Sequence, residues 1–260
     1  MEANTFWESI RNHSGWAWAL GEIRRNPARL DERGPRWGET ALHWAMLGSL
    51  EAVAEILPTR ADLLFSLDKE ERSPLDWAIE KIYFLREPAV QSVDEEAKAN
   101  SLIGQARACA LYALNWMSAN GQLGRWTGNP QLLLRCALAA GEIELAIAID
   151  ERMDEPSGPE VWLSGLAGKW AGDAEAKAYM DHLQAKHGLS GSSVAFGRPI
   201  GLHVAALWAE EKIGDEQAER LHRAGAHLDQ ETESESIEVF CAKSPRGGAR
   251  LARLAARLGI

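Results

Sequence analysis

Residues 38–57 read GETALHWAMLGSLEAVAEIL, and this stretch decides the predicted fold. Thr40 opens an apolar turn and a half, and Gly48 interrupts it. Leu50, Val53 and Ile56 then recur at the spacing of one helical face. The stretch therefore predicts two short helices joined at a glycine.

The same arrangement of residues returns 33 positions later. Ser73-Pro74-Leu75-Asp76-Trp77-Ala78 repeats the hydroxyl, leucine, tryptophan and alanine of 40–45 in the same order. The ten residues from Gly141 also match the ten from Gly48 in the opening glycine, in the fourth-place glutamate and in five apolar places. These two glycines lie 93 positions apart, close to three periods. A period near 33 built from a turn and two helices indicates a stacked repeat architecture.

These residues resemble the ankyrin repeat, whose pattern is T-P-L-H-x-A-A, then a glycine and a second amphipathic helix, then G-A. The match is most specific over 38–88 and 199–229. The resemblance implies an all-α solenoid of about seven to eight helix-turn-helix repeats, with short turns and no sizeable sheet. It implies structural roles for the repeat positions Thr40, Leu42, His43, Ala45, Gly48, Ser73, Leu75, Ala78, Gly141, Leu202, His203, Ala205 and Gly225.

The repeat pattern predicts a single domain over 1–260, with atypical units at both ends, as stacked repeats require. Its parts are an N-terminal capping unit (1–30), the best-matching repeats (38–88), an enlarged helical unit (89–126), further repeats (129–229), and a charged tail with a C-terminal capping helix (230–260). Within the enlarged unit, 93–119 is predicted to form one long helix or a broken pair. The arginines of the last helix face solvent or the acidic tail, or they form a basic surface for a membrane or an acidic partner.

The composition restricts the classes of partner. Asp and Glu total 38 against 28 Lys and Arg, which gives a net charge of −10. Non-specific nucleic-acid binding depends on cations that neutralise phosphate, so we expect no nucleic acid. A basic protein partner is compatible with this charge. No apolar run approaches the length needed to span a bilayer, and we expect a cytoplasmic protein, with a monomer favoured.

The sequence shows no recognisable catalytic or metal-binding pattern. His182 and His187 are five positions apart, which is not the spacing of a helical metal site. Cys109, Cys136 and Cys241 lie far apart in apolar contexts, as expected for buried reduced thiols. We therefore expect no catalytic residue, no metal and no cofactor, and the chain is predicted not to be an enzyme. An enzyme with an unrecognised Cys/His site stays as the least favoured alternative.

The ankyrin resemblance implies a binding function, because such arrays hold partners on the concave face made by the turn tips and first helices. Trp44 and Trp77 are expected in the core. The resemblance implies a set of partner-binding positions, and Trp126 is added to it because that residue lies in a polar loop. The resulting residues are Arg36, Trp37, Glu39, Ala41, Glu70, Glu71, Arg72 and Trp126. The predicted function is non-catalytic protein–protein interaction. One alternative is an acidic bacterial immunity or antitoxin-type protein that neutralises a basic toxin, and another is an adaptor that holds two proteins.

Overall fold

The structure is a computed structural model of the 260-residue chain. It describes 2–11, 15–86, 93–122, 125, 129–153, 156–167, 172–189, 194–195, 198–209, 213–226 and 256. Contacts divide the chain into two compact units, Met1–Asn129 and Pro130–Ile260. The boundary falls at Asn129-Pro130, where the sequence predicts the start of a new helical unit. A single continuous repeat domain stays a prediction, and the two units are described separately.

The regular secondary structure of the first unit is helical in the residues that the structure describes. Its α-helices are α1 (Glu2–Arg11), α2 (Trp16–Arg25), α3 (Ala41–Met46), α4 (Leu50–Ile56), α5 (Pro74–Arg86) and α6 (Val93–Ala119). Two 3₁₀ helices, Pro27–Asp31 and Ala61–Phe65, follow α2 and α4. Of the two alternatives predicted for 93–119, the single long helix is correct.

The helices of the first unit pack as three successive pairs. α1 packs on α2, α3 on α4, and α5 on α6. α3 also contacts α1 on one side and α5 on the other, while α4 contacts α6. Arg24 of α2 donates two hydrogen bonds to the carboxylate of Glu55 on α4. The first helices of the pairs thus form one row.

The second unit repeats this order of contacts in part. Its α-helices are α7 (Pro130–Ala139), α8 (Ile143–Asp150), α9 (Pro159–Leu166), α10 (Asp173–His187), α11 (Ile200–Ala209) and α12 (Asp215–Leu221), followed by a π-helical turn, His222–Ala226. α7 packs on α8 and α11 on α12. α9 lies between α7 and α11, and α10 contacts both α8 and α12.

Local capping explains where α3 and α5 begin. Nδ1 of His43 accepts from the backbone N–H of Thr40 at 3.1 Å. In the next pair, Oδ2 of Asp76 accepts from the N–H of Ser73 at 2.6 Å, and the Ser73 hydroxyl accepts from the N–H of Asp76 at 3.3 Å. These three hydrogen bonds satisfy backbone N–H groups at the starts of the two helices. Asp76 therefore replaces His43 in capping the helix.

The prediction of an all-α fold is confirmed. Beyond the helices, the described residues contain a two-residue antiparallel pairing of β1 (Val194–Ala195) with β2 (Arg198–Pro199), which immediately precedes α11. In the described part of the chain, five pairs of consecutive helices pack on each other, against the seven to eight repeats predicted. The predicted C-terminal capping helix and acidic tail fall outside the described residues, apart from the helical Ala256. None of the helices in the described ranges is long and apolar enough to cross a membrane.

Candidate functional site

Three tryptophans from successive turns meet on the surface of the first unit. Trp37 precedes α3, Trp44 lies on α3, and Trp77 lies on α5. Their ring centroids are 6.1 Å (Trp37–Trp44), 5.7 Å (Trp37–Trp77) and 5.4 Å (Trp44–Trp77) apart, and the two Trp77 contacts are edge-to-face. Such separations are typical of rings in direct contact. The three indoles therefore form a packed cluster, in which Trp77 is buried, as the sequence predicts, and Trp37 and Trp44 are half-buried.

A buried carboxylate holds Trp77 in this cluster. The Trp77 indole Nε1–H donates to Oδ2 of Asp68 at 2.8 Å. Oδ1 of Asp68 accepts from the backbone N–H groups of Glu70 and Arg72, and the Arg72 guanidinium donates twice to Oδ2. Burial alone would raise the pKa of Asp68, but these hydrogen bonds outweigh it and lower the pKa below its ordinary value. Asp68 therefore stays ionised and fixes the turn before α5.

A second buried carboxylate does the same one repeat earlier. Oε1 of Glu39 accepts from the Trp44 indole at 3.2 Å, and its Oε2 accepts from the Trp37 backbone N–H at 2.9 Å. Arg11 of α1 donates to Oε1 at 3.4 Å. Burial raises the pKa of Glu39, and the hydrogen bonds from the backbone, Trp44 and Arg11 lower it to a net value below normal. The turns before α3 and α5, called the turn tips below, are therefore held in place, because a buried carboxylate accepts hydrogen bonds from their N–H groups.

Each indole of the cluster also carries a guanidinium on its face. Arg11 lies 5.7 Å from the Trp44 centroid, Arg36 lies 4.3 Å from that of Trp37, and Arg72 lies 5.5 Å from that of Trp77. These are cation–π distances. Arg72 also pairs with Glu70 at 2.9 Å and Glu80 at 3.5 Å. The surface is therefore rich in aromatic and arginine side chains, the two kinds most enriched in protein interfaces.

A cavity of about 410 Å³ opens beside the indoles. Its lining is mostly apolar and consists of Trp37, Trp44, Leu47, Arg72, Trp77, Glu80, Lys81, Phe84 and Leu85. Phe84 is 62% exposed, the largest value among the exposed large hydrophobic residues of the described chain. A volume of this size falls in the range of ligand pockets, and it also suits one anchoring side chain of a protein partner.

His43 lies beneath the cluster and connects the two repeats. Its Nδ1 accepts from Thr40, so Nε2 carries the proton and donates to the carbonyl of Arg72 at 3.1 Å. Its ring packs edge-to-face on Trp77, with centroids 5.1 Å apart. Burial lowers the pKa of His43 to about 4, because a desolvated imidazolium is unfavourable. His43 is therefore a neutral structural group, as its place in the repeat implies.

The predicted partner-binding residues divide into three groups. Arg36, Glu70 and Glu71 are exposed, while Trp37 and Arg72 are half-buried at the cluster. Glu39 and Ala41 are both 0% exposed, which corrects their assignment, since neither side chain can touch a partner directly. Glu39 acts from inside by orienting Trp37 and Trp44. Trp126 lies outside the described residues.

The predicted repeat positions lie where packing or a turn needs them. Those that are buried are Thr40, Leu42, His43, Ala45, Ser73, Leu75, Ala78, Leu202 and Ala205. Gly141 and Gly225 have φ values of 73° and 110°, in the region that favours glycine. Gly48 is half-buried in the turn between α3 and α4, and His203 is half-buried on α11. The assignment of these residues to ankyrin repeats stays a prediction.

A second polar cluster lies in the other unit, at the end of α8. Oδ2 of the fully buried Asp150 accepts from Nε2 of His182 at 2.7 Å and from Nε2 of His187 at 3.0 Å. Lys186 lies 3.5 Å from the same oxygen and donates to the backbone carbonyls of Asp150 and Met153. Burial opposes ionisation of Asp150, but the two imidazoles and the lysine charge lower its pKa below normal. The cluster joins α8 to α10.

Of the two described cysteines, Cys109 lies in a setting that does not favour a nucleophile. Cys109 is fully buried, and its Sγ lies 3.7 Å from the Ala45 carbonyl. Burial raises the pKa of Cys109 to about 12, which keeps it a thiol at neutral pH. Cys136 is half-buried on α7. Among the described residues, no group of three or more His, Cys, Asp and Glu side chains is arranged to hold a metal ion.

Three functional features escaped prediction from the sequence. Glu39 and Asp68 lie in polar turns, where a carboxylate ordinarily faces solvent. The histidines that bond to Asp150 lie 32 and 37 residues further along the chain, and no local sequence pattern reveals such a contact. Phe84 did leave a signal, because the run Ile82-Tyr83-Phe84-Leu85 cannot lie on one helical face. At least one of these side chains had to be exposed or covered by a partner.

Comparisons with known proteins returned no match to any family model, curated protein or solved structure. The resemblance to ankyrin repeats therefore depends only on the residues quoted above.

Proposed function

We propose that this chain is a non-catalytic protein-binding module with ankyrin-like repeats, and that its partner binds the surface formed by the indole cluster and the adjacent cavity. The observation that carries this proposal is Phe84, 62% exposed at the edge of an apolar cavity of about 410 Å³. An exposed aromatic ring beside an apolar cavity is costly in water and is typical of an interface anchor.

The repeat assignment is supported by the equivalence of α3 and α5. Thr40 and Ser73 precede these helices and lie 33 positions apart. The side chains of His43 and Asp76 each accept a hydrogen bond from the backbone N–H of that preceding residue. The indoles of Trp44 and Trp77, also 33 apart, each donate to a buried carboxylate of the preceding turn. The turn tips and first helices are the parts of an ankyrin-like stack expected to bind partners.

The rigidity of the turn tips also supports a binding role. Asp68 and Glu39 hold backbone N–H groups, indoles and guanidinium groups in place before any partner arrives. A surface that is already ordered loses little conformational entropy on binding. Arg36 and Trp37 at the rim, with Phe84 at the cavity, then act as anchors.

A pull-down from the native host with variant controls tests this proposal. Phe84→Ala removes the exposed anchor, and Leu50→Ala is its matched control, because Leu50 is 42% exposed on α4 and does not line the cavity. We expect wild type and Leu50→Ala to capture the same protein at one-to-one stoichiometry, and Phe84→Ala to lose it. Equal capture by all three proteins contradicts the proposed surface.

A second candidate function is neutralisation of a basic protein, such as a toxin, in the manner of an immunity protein. The net charge of −10 favours it, because complementary charge speeds and directs association. This version predicts a single basic partner whose affinity falls steeply between low and high salt. Recovery of several partners indicates an adaptor instead, and affinity that does not change with salt contradicts recognition by charge.

A further inference from the structure

The indole cluster has a basic side, which lies against Trp37. The guanidinium of Arg36 lies 4.3 Å from the Trp37 ring centroid, and Nζ of Lys69 donates to the Arg36 carbonyl at 3.2 Å. Nη1 of Arg33 donates to two backbone carbonyls of the turn tips, at 3.2 and 3.1 Å. These three cations are exposed, and none of them forms a salt bridge with a residue that the structure describes. Their charge is therefore available to a partner.

The cluster also has an acidic side, which lies against Trp77. The guanidinium of Arg72 lies 5.5 Å from the Trp77 ring centroid. Three carboxylates share this guanidinium, those of Asp68 at 2.9 Å, Glu70 at 2.9 Å and Glu80 at 3.5 Å. One arginine cannot neutralise three carboxylates, and Glu70 is exposed. This side therefore keeps negative charge with which a cation of a partner can pair.

Apolar side chains connect the two sides. Trp37 and Trp77 are in edge-to-face contact, with ring centroids 5.7 Å apart, and both line the cavity of about 410 Å³. Phe84 lines the same cavity and is 62% exposed. The surface thus offers an exposed aromatic ring, an apolar cavity that can receive such a ring, and charges of both signs beside them.

We propose that this surface binds a second copy of the chain in a two-fold dimer. A two-fold interface uses the same patch twice, so a group on one side of the axis meets the group that lies on the other side in the second copy. The basic side of each copy then faces the acidic side of the other, and Phe84 of each copy enters the cavity of the other. A partner of uniform charge is attracted by one side and repelled by the other, whereas a second copy satisfies both.

The balance of forces favours contacts within the interface. Each copy carries a net charge of −10, which opposes association, but exposed charges further apart than about 8 Å are largely screened at physiological salt. Burial of the exposed Phe84 ring and the two sets of opposite charges act at contact distance. The dimer occupies the surface proposed for partner binding, so self-association competes with the partner. That consequence, unlike the dimer itself, rests on the proposed function.

Sedimentation velocity of the full chain tests the inference, at concentrations from about 1 to about 200 μM in about 150 mM NaCl. We expect the monomer to convert to a dimer as the concentration rises. Phe84→Ala should weaken the dimer at least about ten-fold, because the anchor is removed from both copies. Leu50→Ala is again the matched control and should leave the dimer unchanged, since Leu50 is exposed but does not line the cavity.

A charge exchange tests the two-fold arrangement. Arg36→Glu places like charges opposite each other in a homodimer, and so does Glu70→Arg, so each variant alone should weaken the dimer several-fold. An equimolar mixture of the two variants restores opposite charges at both contacts of a heterodimer, and it should recover most of the wild-type affinity. Arg135→Glu reverses an exposed arginine on α7, which controls for the change in net charge, and should leave the dimer unchanged.

The outcomes separate this inference from the proposed function. A wild-type chain that stays monomeric over the whole range overturns the inference, and so does a dimer that Phe84→Ala does not weaken. A mixture that associates no more tightly than its two components overturns the two-fold pairing of charges. A monomer whose heterologous partner is lost in Phe84→Ala leaves the proposed function standing. A dimer weakened by Phe84→Ala, with capture of the partner undiminished, overturns the proposed function alone.

Discussion

The indole N–H of Trp77 donates to Oδ2 of Asp68 across 2.8 Å, from the first turns of α5 back to the turn before it. The same carboxylate receives the backbone N–H groups of Glu70 and Arg72 and the guanidinium of Arg72. One buried anion thus orients an aromatic side chain and a basic side chain on the proposed binding surface.

Asp68→Asn is expected to lower the free energy of unfolding by about 2–4 kcal/mol, because the amide leaves buried donors unsatisfied and removes the charge that Arg72 faces. Urea denaturation of the purified chain measures the change. Asp62→Asn is the matched control, since Asp62 is 58% exposed and pairs with Arg60 at the surface. The control should cost less than about 1 kcal/mol. Equal losses in the two variants argue against a structural role for the buried anion.

His43 predicts a pH dependence of stability whose sign follows from its burial. The folded-state pKa is about 4 and the unfolded value is about 6.5, so the unfolded chain binds more protons between them. Stability is therefore lost as pH falls, by about 2 kcal/mol between pH 7 and pH 5. His43→Asn can still accept from Thr40 but does not titrate, and its unfolding free energy should lack this component. Parallel pH profiles for wild type and variant contradict the prediction.

Asp150→Asn tests the cluster between α8 and α10. The substitution removes the charge that His182, His187 and Lys186 share. We expect a loss of about 2–4 kcal/mol and faster amide hydrogen exchange in Ile143–Asp150 and Asp173–His187. Exchange in Ala41–Met46 and Pro74–Arg86 should not change, because they belong to the other compact unit. Faster exchange throughout the chain means that the two units unfold together.

Gly165 tests the close approach of α9 to α7. A Cβ at this position lies 2.6 Å from Leu138 Cβ and 3.1 Å from the Arg135 carbonyl oxygen, so Gly165→Ala forces the helices apart. We expect a loss of about 1–3 kcal/mol in thermal or urea unfolding. Gly104 lies inside α6 with nothing within 4 Å of its Cβ position. Gly104→Ala should therefore stabilise the chain by about 0.5–1 kcal/mol. A stabilising Gly165→Ala would show that the two helices can separate freely.

Much of the fold was predictable because its signals are local. The caps at Thr40 and Ser73, the single helix of 93–119 and the helix starting at Pro130 each depend on residues within one or two turns. The number of helix pairs was less predictable. α5 was assigned to one unit and α6 to the next, whereas the structure pairs them. Their connecting segment carries no period, and only the contact between the helices reveals the pair.

The residues of the proposed binding surface were predictable in part. Arg36, Trp37 and Arg72 follow from the position of the turn tips in a repeat, and the structure brings Trp37 and Arg72 together at one cavity. Glu39 was expected at the same surface and is buried, because a charged residue in a polar turn resembles a solvated one until its partners are known. Lys81 gave no signal, since a lysine on a helix is ordinarily exposed.

The sequence by itself determined the helices, their caps and the 33-residue equivalence, because helical periodicity and capping act over four residues or fewer. Tertiary structure alone decided that Glu39, Asp68 and Asp150 are internal anions and that three indoles meet beside an amine. The burial and the pKa of a side chain depend on groups that packing brings near it from distant positions in the chain. The order of residues alone does not show which groups these are.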